Sequence, residues 1–342
     1  MLTEKRSTKI GAALLIFAVL LRLLTGLWGM AVKAIRQPEA TEQTLQRPTN
    51  GPAHWVSVPT AEPMEPSAQT QPLPSTTAPP QPTRPIRVPV SFSAADMQYI
   101  RVQYAQDCAH RPSLEALLLQ PLPAQFSEQT PMVLIVHTHG SESYTRQPGQ
   151  DYQESTDYRT LDTAYNVVAL GDQLEQLLAA AGIPVLHDRQ IHDYPSYNAA
   201  YSNSRESVAD FLAQYPQICM VLDLHRDAAL NSDGTQYATK AMVDGQKVAQ
   251  LMLVLGTNAS GKYHPDWQEN LSVALKLQVL LEKQAPGITR QTILRAQRFN
   301  HDLASGAMIV EIGAAGNTLA EAEGAVPILA QALIRLLLGE EA

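Results

Sequence analysis

Cysteine is nearly absent from this chain: Cys108 and Cys219 are the two among 342 residues. Two thiols build neither a disulfide framework nor a cysteine zinc site. Cys219 lies in the apolar run Ile218-Cys219-Met220-Val221-Leu222 and reads as a buried, inert thiol. A basic excess is also missing. Lys and Arg number 25 against 33 Asp and Glu, a formal net charge of -8, which removes electrostatic support for nucleic-acid binding. Internal repeats are absent, which excludes solenoid and propeller arrays. No small-x-small cleavage site follows the apolar N-terminal stretch, and this argues against a cleaved signal peptide.

What is present divides the chain into four parts. Lys5, Arg6 and Lys9 precede an apolar segment from Ile10 to Val32, and Lys33 and Arg36 follow it. About 23 apolar residues suffice to cross a bilayer as a helix. Arg22 interrupts the run at a cost of roughly 2.5–3.5 kcal/mol, which a span tolerates. Residues 1–36 therefore read as a basic cytoplasmic head and an uncleaved transmembrane signal anchor, with everything after Arg36 exported. Residues 37–90 hold more than half of the chain's 24 prolines, among Thr, Gln, Ser and Ala. That composition cannot bury a core and reads as a disordered spacer. Residues 91–130 form a prelude in which Leu114–Leu119 has a helical pattern between Pro112 and Pro121. Residues 131–342 read as the folded domain.

Within 131–342, short apolar runs alternate with helical spacing. Strands are expected at Val133–Val136, Ile183–Leu186, Ile218–Leu224, Thr239–Val243, Val248–Leu255 and Ala307–Ile312. Helices are expected from Thr163 to Ala181, Tyr197 to Gln214, Trp267 to Glu282 and Thr318 to Leu338. The alternation predicts an α/β fold, a three-layer sandwich on a mostly parallel sheet. Such sheets bind ligands beyond the carboxyl ends of their strands.

Three of these strands end in polar groups of metal-binding type. The first runs into His137-Thr138-His139-Gly140-Ser141-Glu142, the third into His225-Arg226-Asp227, and the last into Glu311. A parallel sheet gathers such ends along one edge. Zinc takes imidazole and carboxylate ligands and keeps one position open, so His139, Glu142 and His225 are the candidate ligands. His137 is the alternative to His139, either as ligand or as a hydrogen-bonding support. Glu311 is the candidate general base. His54, His110, His187, His192 and His264 lack carboxylate spacing and read as surface or capping residues. His301 precedes the Glu311 strand and is a candidate for lining a substrate groove.

Two other patterns fail on context. His225-Arg226-Asp227 is kinase-like, but neither a glycine-rich loop nor Asp-Phe-Gly accompanies it. His137-Thr138-His139 fits barrel amidohydrolases, but the domain has too few strand–helix units for an eight-fold barrel.

The stretches VLIVHTHGSESY (133–144), VLDLHRDA (221–228) and MIVEIGAAGNTLAEA (308–322), in this order, resemble the stage II sporulation protein P family. That family is itself similar to the zinc-dependent N-acetylmuramoyl-L-alanine amidases, which have an α/β fold. The resemblance implies a Zn2+ enzyme that cleaves the amide between muramic acid and L-alanine in peptidoglycan, with stem-peptide cross-links as a further substrate. It implies a place at the septal wall during engulfment, in the mother-cell membrane facing the forespore. The partners it implies are sporulation proteins D, a lytic transglycosylase, and M, a membrane protein. It places zinc on His139, Glu142 and His225 and catalysis on Glu311. The broader amidases take their zinc Glu from the start of the first long helix. Here that region is Thr160-Leu161-Asp162-Thr163-Ala164-Tyr165-Asn166, so Asp162 is the alternative to Glu142. Arg226 is a candidate oxyanion helper, and Asn300 and Tyr144 are candidate substrate contacts. The competing readings are a zinc carboxypeptidase or deacylase, and a non-catalytic wall-binding scaffold.

Overall fold

The structure, a computed structural model, describes residues 87–127 and 132–341. The expected anchor and residues 37–86 of the expected linker lie outside them. Among the described residues no helix is long and apolar enough to cross a membrane.

Seven strands form the main sheet: β1 (Val102–Tyr104), β2 (Met132–Val136), β3 (Val185–His187), β4 (Ile218–Asp227), β5 (Leu251–Gly256), β6 (Thr292–Arg295) and β7 (Met308–Ala314), in the order β1-β6-β5-β7-β4-β2-β3. Neighbours pair in parallel except β5 with β7. The sheet is thus two parallel blocks joined at one antiparallel seam, and β2, β4 and β7 belong to the same block. Their continuous apolar runs reflect burial on both faces. In β2, Val133 and Ile135 enter the large core on one face, while Leu134 and Val136 enter a smaller cluster on the other.

The two faces are covered unequally. Helices α1 (Leu114–Leu119), α2 (Val167–Ala180), α4 (Trp267–Gln284) and α5 (Leu319–Leu338) bury their apolar stripes in the large core. Helix α3 (Ala200–Gln214) covers the smaller cluster through Val208, Phe211 and Leu212, joined by Leu303 and Ala304 from the turn before β7. The second layer is therefore the thinner of the two.

Local chemistry sets the element ends. Helix α2 begins four residues later than its periodicity suggests. The Asp162 side chain closes a turn on the Ala164 amide, and the Asn166 side chain then caps Val168. Gly182 ends the helix at φ +82°. Helix α5 opens with a capping box between Thr318 and Glu321. The apolar stretch expected as one strand from Val248 to Leu255 is two. Gln246–Ala249 pairs with Lys240–Val243 as a separate hairpin around Asp244-Gly245, both at positive φ, and β5 follows.

The prelude is packed into the same body. Val102 pairs in parallel with Thr292 of β6, and Leu117 and Leu118 are buried, with the Leu117 carbonyl accepting from Ser272 and Lys276 of α4. Strands β1 and β6 are too short for period-two patterning to reveal. Cys219 is buried, its thiol donating to the Met132 carbonyl.

Candidate active site

Strands β4 and β7 run past their expected ends. His225 and Glu311 sit inside them, on the sheet face, rather than in loops beyond it. They are direct cross-strand partners, Glu311 opposite His225, and the register shifts between Glu311 and Ala314. A bulge beside a site re-aims side chains and ends regular pairing. Alternation puts Asp223 and His225 on one strand face, the face that α3 covers in part.

His139 and Glu142 reach this place from the turns after β2. Glu142 Oε2 lies 3.4 Å from His225 Nδ1, and the His139 and His225 rings meet edge to face at 5.4 Å between centroids. Behind each histidine stands a carboxylate. Asp223 Oδ1 is 2.9 Å from His225 Nε2, and Asp193 Oδ2 is 3.6 Å from His139 Nδ1. Asp223 is held by the Thr138 amide and hydroxyl, and Asp193 by Ser141 and Arg159. Two aromatic rings close the wall. Tyr197 stacks on His139 at 4.4 Å, and Tyr201 of α3 meets it edge-on at 5.6 Å.

The electrostatics are those of a site for positive charge. Burial works against an imidazolium at His225, but Asp223 and Glu142 outweigh it and raise its pKa well above the ordinary value. Burial would raise the Glu142 pKa; Arg226, His225 and His139 prevail and hold it well below the usual carboxylate range. Glu311 goes the other way. Burial, aided by Glu142 and Asp227, pushes it up to about 8. The Tyr201 phenol is held protonated by burial and by the nearby Asp223, Glu311 and Glu142.

The residue set fits a metal ion on two observations. Glu311 Oε2 is buried without a hydrogen-bond partner, a costly condition that a bound group relieves. Bonds of roughly 2.1 Å at a tetrahedral ion place two ligands about 3.4 Å apart, the separation seen between Glu142 and His225. His139, the third candidate, stands wider, and the three do not close to within 4.8 Å of one another.

Other expected site residues lie elsewhere or do other work. His137 is fully buried beneath α2, with Nδ1 on the Leu224 carbonyl and Nε2 on His187, and burial with His187 pushes its pKa to about 3. It is not paired with Glu142. Asp162 is exposed and occupied with its own turn. Tyr144 is in the core, its hydroxyl donating to the Ile312 carbonyl, so it does not meet substrate. Arg226 is buried, and its guanidinium binds the Ser143 and Tyr158 carbonyls while its amide binds Glu142. It fixes the Glu142 loop instead of facing a reacting carbonyl. Asn300 donates to the Tyr201 carbonyl and Ser204, tying its loop to α3. His301 is buried, with Nδ1 accepting from the Gly256 amide, and lines a cavity beside Leu212, Ile218 and Leu303 rather than the centre at His225.

Asp223, Asp193, Arg159 and Tyr201 were not legible as site residues. Asp223 carried one available signal, a carboxylate inside an apolar run two residues before His225. Asp193, Arg159 and Tyr201 arrive from loops and α3 with no spacing relation to either histidine.

The fold and site together define an α/β protein whose sheet carries a buried histidine–carboxylate centre. The model of the family Stage II sporulation protein P matches residues 56–334, and the chain belongs to that family. Stage II sporulation protein P of Bacillus subtilis (strain 168) is 28% identical over 214 residues, 59% of this chain and 50% of that relative. The match thus spans half the relative's length. Among solved structures, an N-acetylmuramyl-L-alanine amidase of Mycobacterium abscessus is similar over 61% of this chain and 99% of its own, at 13% identity and TM-score 0.37. An N-acetylmuramoyl-L-alanine amidase of Clostridium difficile 630 is similar over 62% and 96%, at 14% identity and TM-score 0.35.

Proposed function

We propose that this chain is a metal-dependent peptidoglycan hydrolase that cleaves the amide between N-acetylmuramic acid and L-alanine. The observation that carries this reading is the facing pair Glu311 and His225, with Glu142 and His139 beside them, on one face of the sheet. Family membership supports a role in sporulation.

A Zn2+ ion held by His139, Glu142 and His225 would supply Lewis acidity, making water nucleophilic near neutral pH and polarising the scissile carbonyl. Asp223 and Asp193 orient the two imidazoles and fix which nitrogen each presents. Glu311, poised by burial, accepts the proton of the attacking water and returns it to the leaving amine. Tyr201 keeps its phenolic proton and offers it toward the developing oxyanion. Arg159 and Arg226 hold Glu142 in place from two sides. In the same reading residues 1–36 anchor the chain in the cytoplasmic membrane, the hydrolase domain stands outside it, and sporulation proteins D and M are its partners.

The test is turnover of purified peptidoglycan by the full chain, with Zn2+, with chelator, and as His225→Ala. Free stem peptides and exposed lactyl carboxylates, lost in both controls, are the expected products. Release of terminal amino acids in their place would make the protein a carboxypeptidase.

A further inference from the structure

We infer that Asp172, Glu175 and His187 form a second divalent-cation site of the zinc class, on the opposite side of the sheet from the candidate active site. Asp172 and Glu175 are three residues apart on α2 and share a helix face. His187 ends β3 directly beneath them. Its Nδ1 lies 3.3 Å from Asp172 Oδ1 and 3.4 Å from Glu175 Oε2. The three donor atoms all lie within 4.8 Å of one another, and among the described residues no other group of three or more His, Cys, Asp or Glu side chains draws together so closely.

Proton accounting shows what this cluster lacks. His137 Nδ1 faces the Leu224 carbonyl at 3.2 Å. A carbonyl only accepts, so Nδ1 carries the hydrogen. His137 is fully buried, and a second proton would leave a cation there without a carboxylate in contact. Its Nε2 is therefore a lone pair. The single proton in the 2.8 Å contact between the two Nε2 atoms belongs to His187. With its Nε2 hydrogen given to His137, His187 turns Nδ1 toward two carboxylate oxygens. The His187 side chain is 0% exposed, and Nδ1 has no hydrogen-bond partner. The ring nitrogen and the two carboxylates call for a positive charge between them, a proton on Nδ1 or a bound cation, and counting bound metal separates the two.

Arg189 meets that need only in part. Its Nε donates to Asp172 Oδ1 at 2.7 Å and its Nη2 to Glu175 Oε2 at 2.5 Å. It makes no hydrogen bond to His187 Nδ1, and its side chain is 51% exposed, free to swing outward. An ion at the cluster would satisfy all three donors at once. One imidazole and two carboxylates suit Zn2+, and separations of 3.3 and 3.4 Å match two ligands of a tetrahedral ion. Asp172 at 40% and Glu175 at 29% side-chain exposure leave an entry path. The ion would brace α2 against β3. It would also fix the proton order from His187 through His137 to the Leu224 carbonyl, next to His225.

The experiment is Zn2+ titration of the chelator-stripped full chain, with bound metal counted by mass spectrometry after gel filtration and fold checked by circular dichroism. Wild type should hold two ions. Asp172→Asn with Glu175→Gln, which alters only partly exposed side chains, should hold one and stay folded. His225→Ala should lose the other ion, so the two sites are read separately. Arg189→Ala should bind the second ion more tightly, because a competing cation is gone. Metal content unchanged by the Asp172→Asn/Glu175→Gln pair would overturn the inference. So would an Arg189→Ala protein that binds no more tightly than wild type, which would make the cluster an ion pair only.

Discussion

Glu311 and His225 face each other across the β7–β4 pair as direct register partners, with Met252 of β5 on the other flank of Glu311. This contact joins a carboxyl kept protonated by burial to an imidazole drawn toward positive charge by two carboxylates.

The first prediction concerns Glu311→Gln. Removing a general base should lower turnover by about 10²–10⁴-fold, with bound zinc unchanged. In wild type the base works ionised, so kcat/KM should rise with pH along a limb at or below the Glu311 pKa of about 8. That limb should disappear in Glu311→Gln. The stability sign is opposite. A carboxyl with a raised folded-state pKa binds more protons folded than unfolded between about 4.5 and 8, so it costs stability as pH rises through that window. Metal-stripped Glu311→Gln should therefore match or exceed wild type in thermal midpoint at pH 7.

Asp223→Asn tests the carboxylate behind His225. The amide keeps an acceptor for Thr138 but loses the charge that fixes the imidazole. Zinc affinity at this site should fall about 10–100-fold, measured by competition with a chelator of known affinity. Unchanged affinity would mean that Asp223 serves only to hold Thr138.

Gly171 shows how closely α2 approaches the buried histidine pair. A Cβ there would stand 2.5 Å from His187 Nε2 and 2.7 Å from His137 Nε2. Gly171→Ala should gain about 1 kcal/mol of helix propensity yet lose about 1–3 kcal/mol to overpacking. The expected net is a lower urea midpoint, and a raised one would show that the rings move aside freely.

Lys276 is buried in α4, with its ammonium on the Leu117 carbonyl and Ser272 and no carboxylate partner. Burial lowers its pKa to about 8. The unfolded chain therefore binds the extra proton between about 8 and 10.5, and stability should rise with pH across that window. At 1.36 kcal/mol per pKa unit the rise is on the order of 3 kcal/mol. Lys276→Met should abolish it and be at least as stable at pH 7, which chemical denaturation at pH 7 and 10 would decide.

Apolar runs and helical spacing were enough to place most of the core elements from Val133 onward, because burying β2 and β4 on both faces demands uninterrupted apolar stretches. The seam between β5 and β7 was not visible. Parallel and antiparallel neighbours ask for the same apolar run, and only the path of the connecting chain sets direction. Strands β1 and β6 escaped because three or four residues carry too little pattern.

The sequence by itself determined which residue types stand at the ends of β2, β4 and β7, and so brought His139, Glu142, His225 and Glu311 into view. The tertiary structure decided which of the neighbours join them. His137 and His139 are two residues apart after the same strand, yet one turns under α2 to His187 and the other meets His225. Asp162 and Glu142 both carry carboxyl groups, but one closes its own turn while Arg159 and Arg226 draw the other into the centre. Sequence fixes what a side chain can bind. Its direction beyond a strand end is set by hydrogen bonds to partners dozens of residues away, such as Leu224 for His137 and Asp193 for the His139 turn.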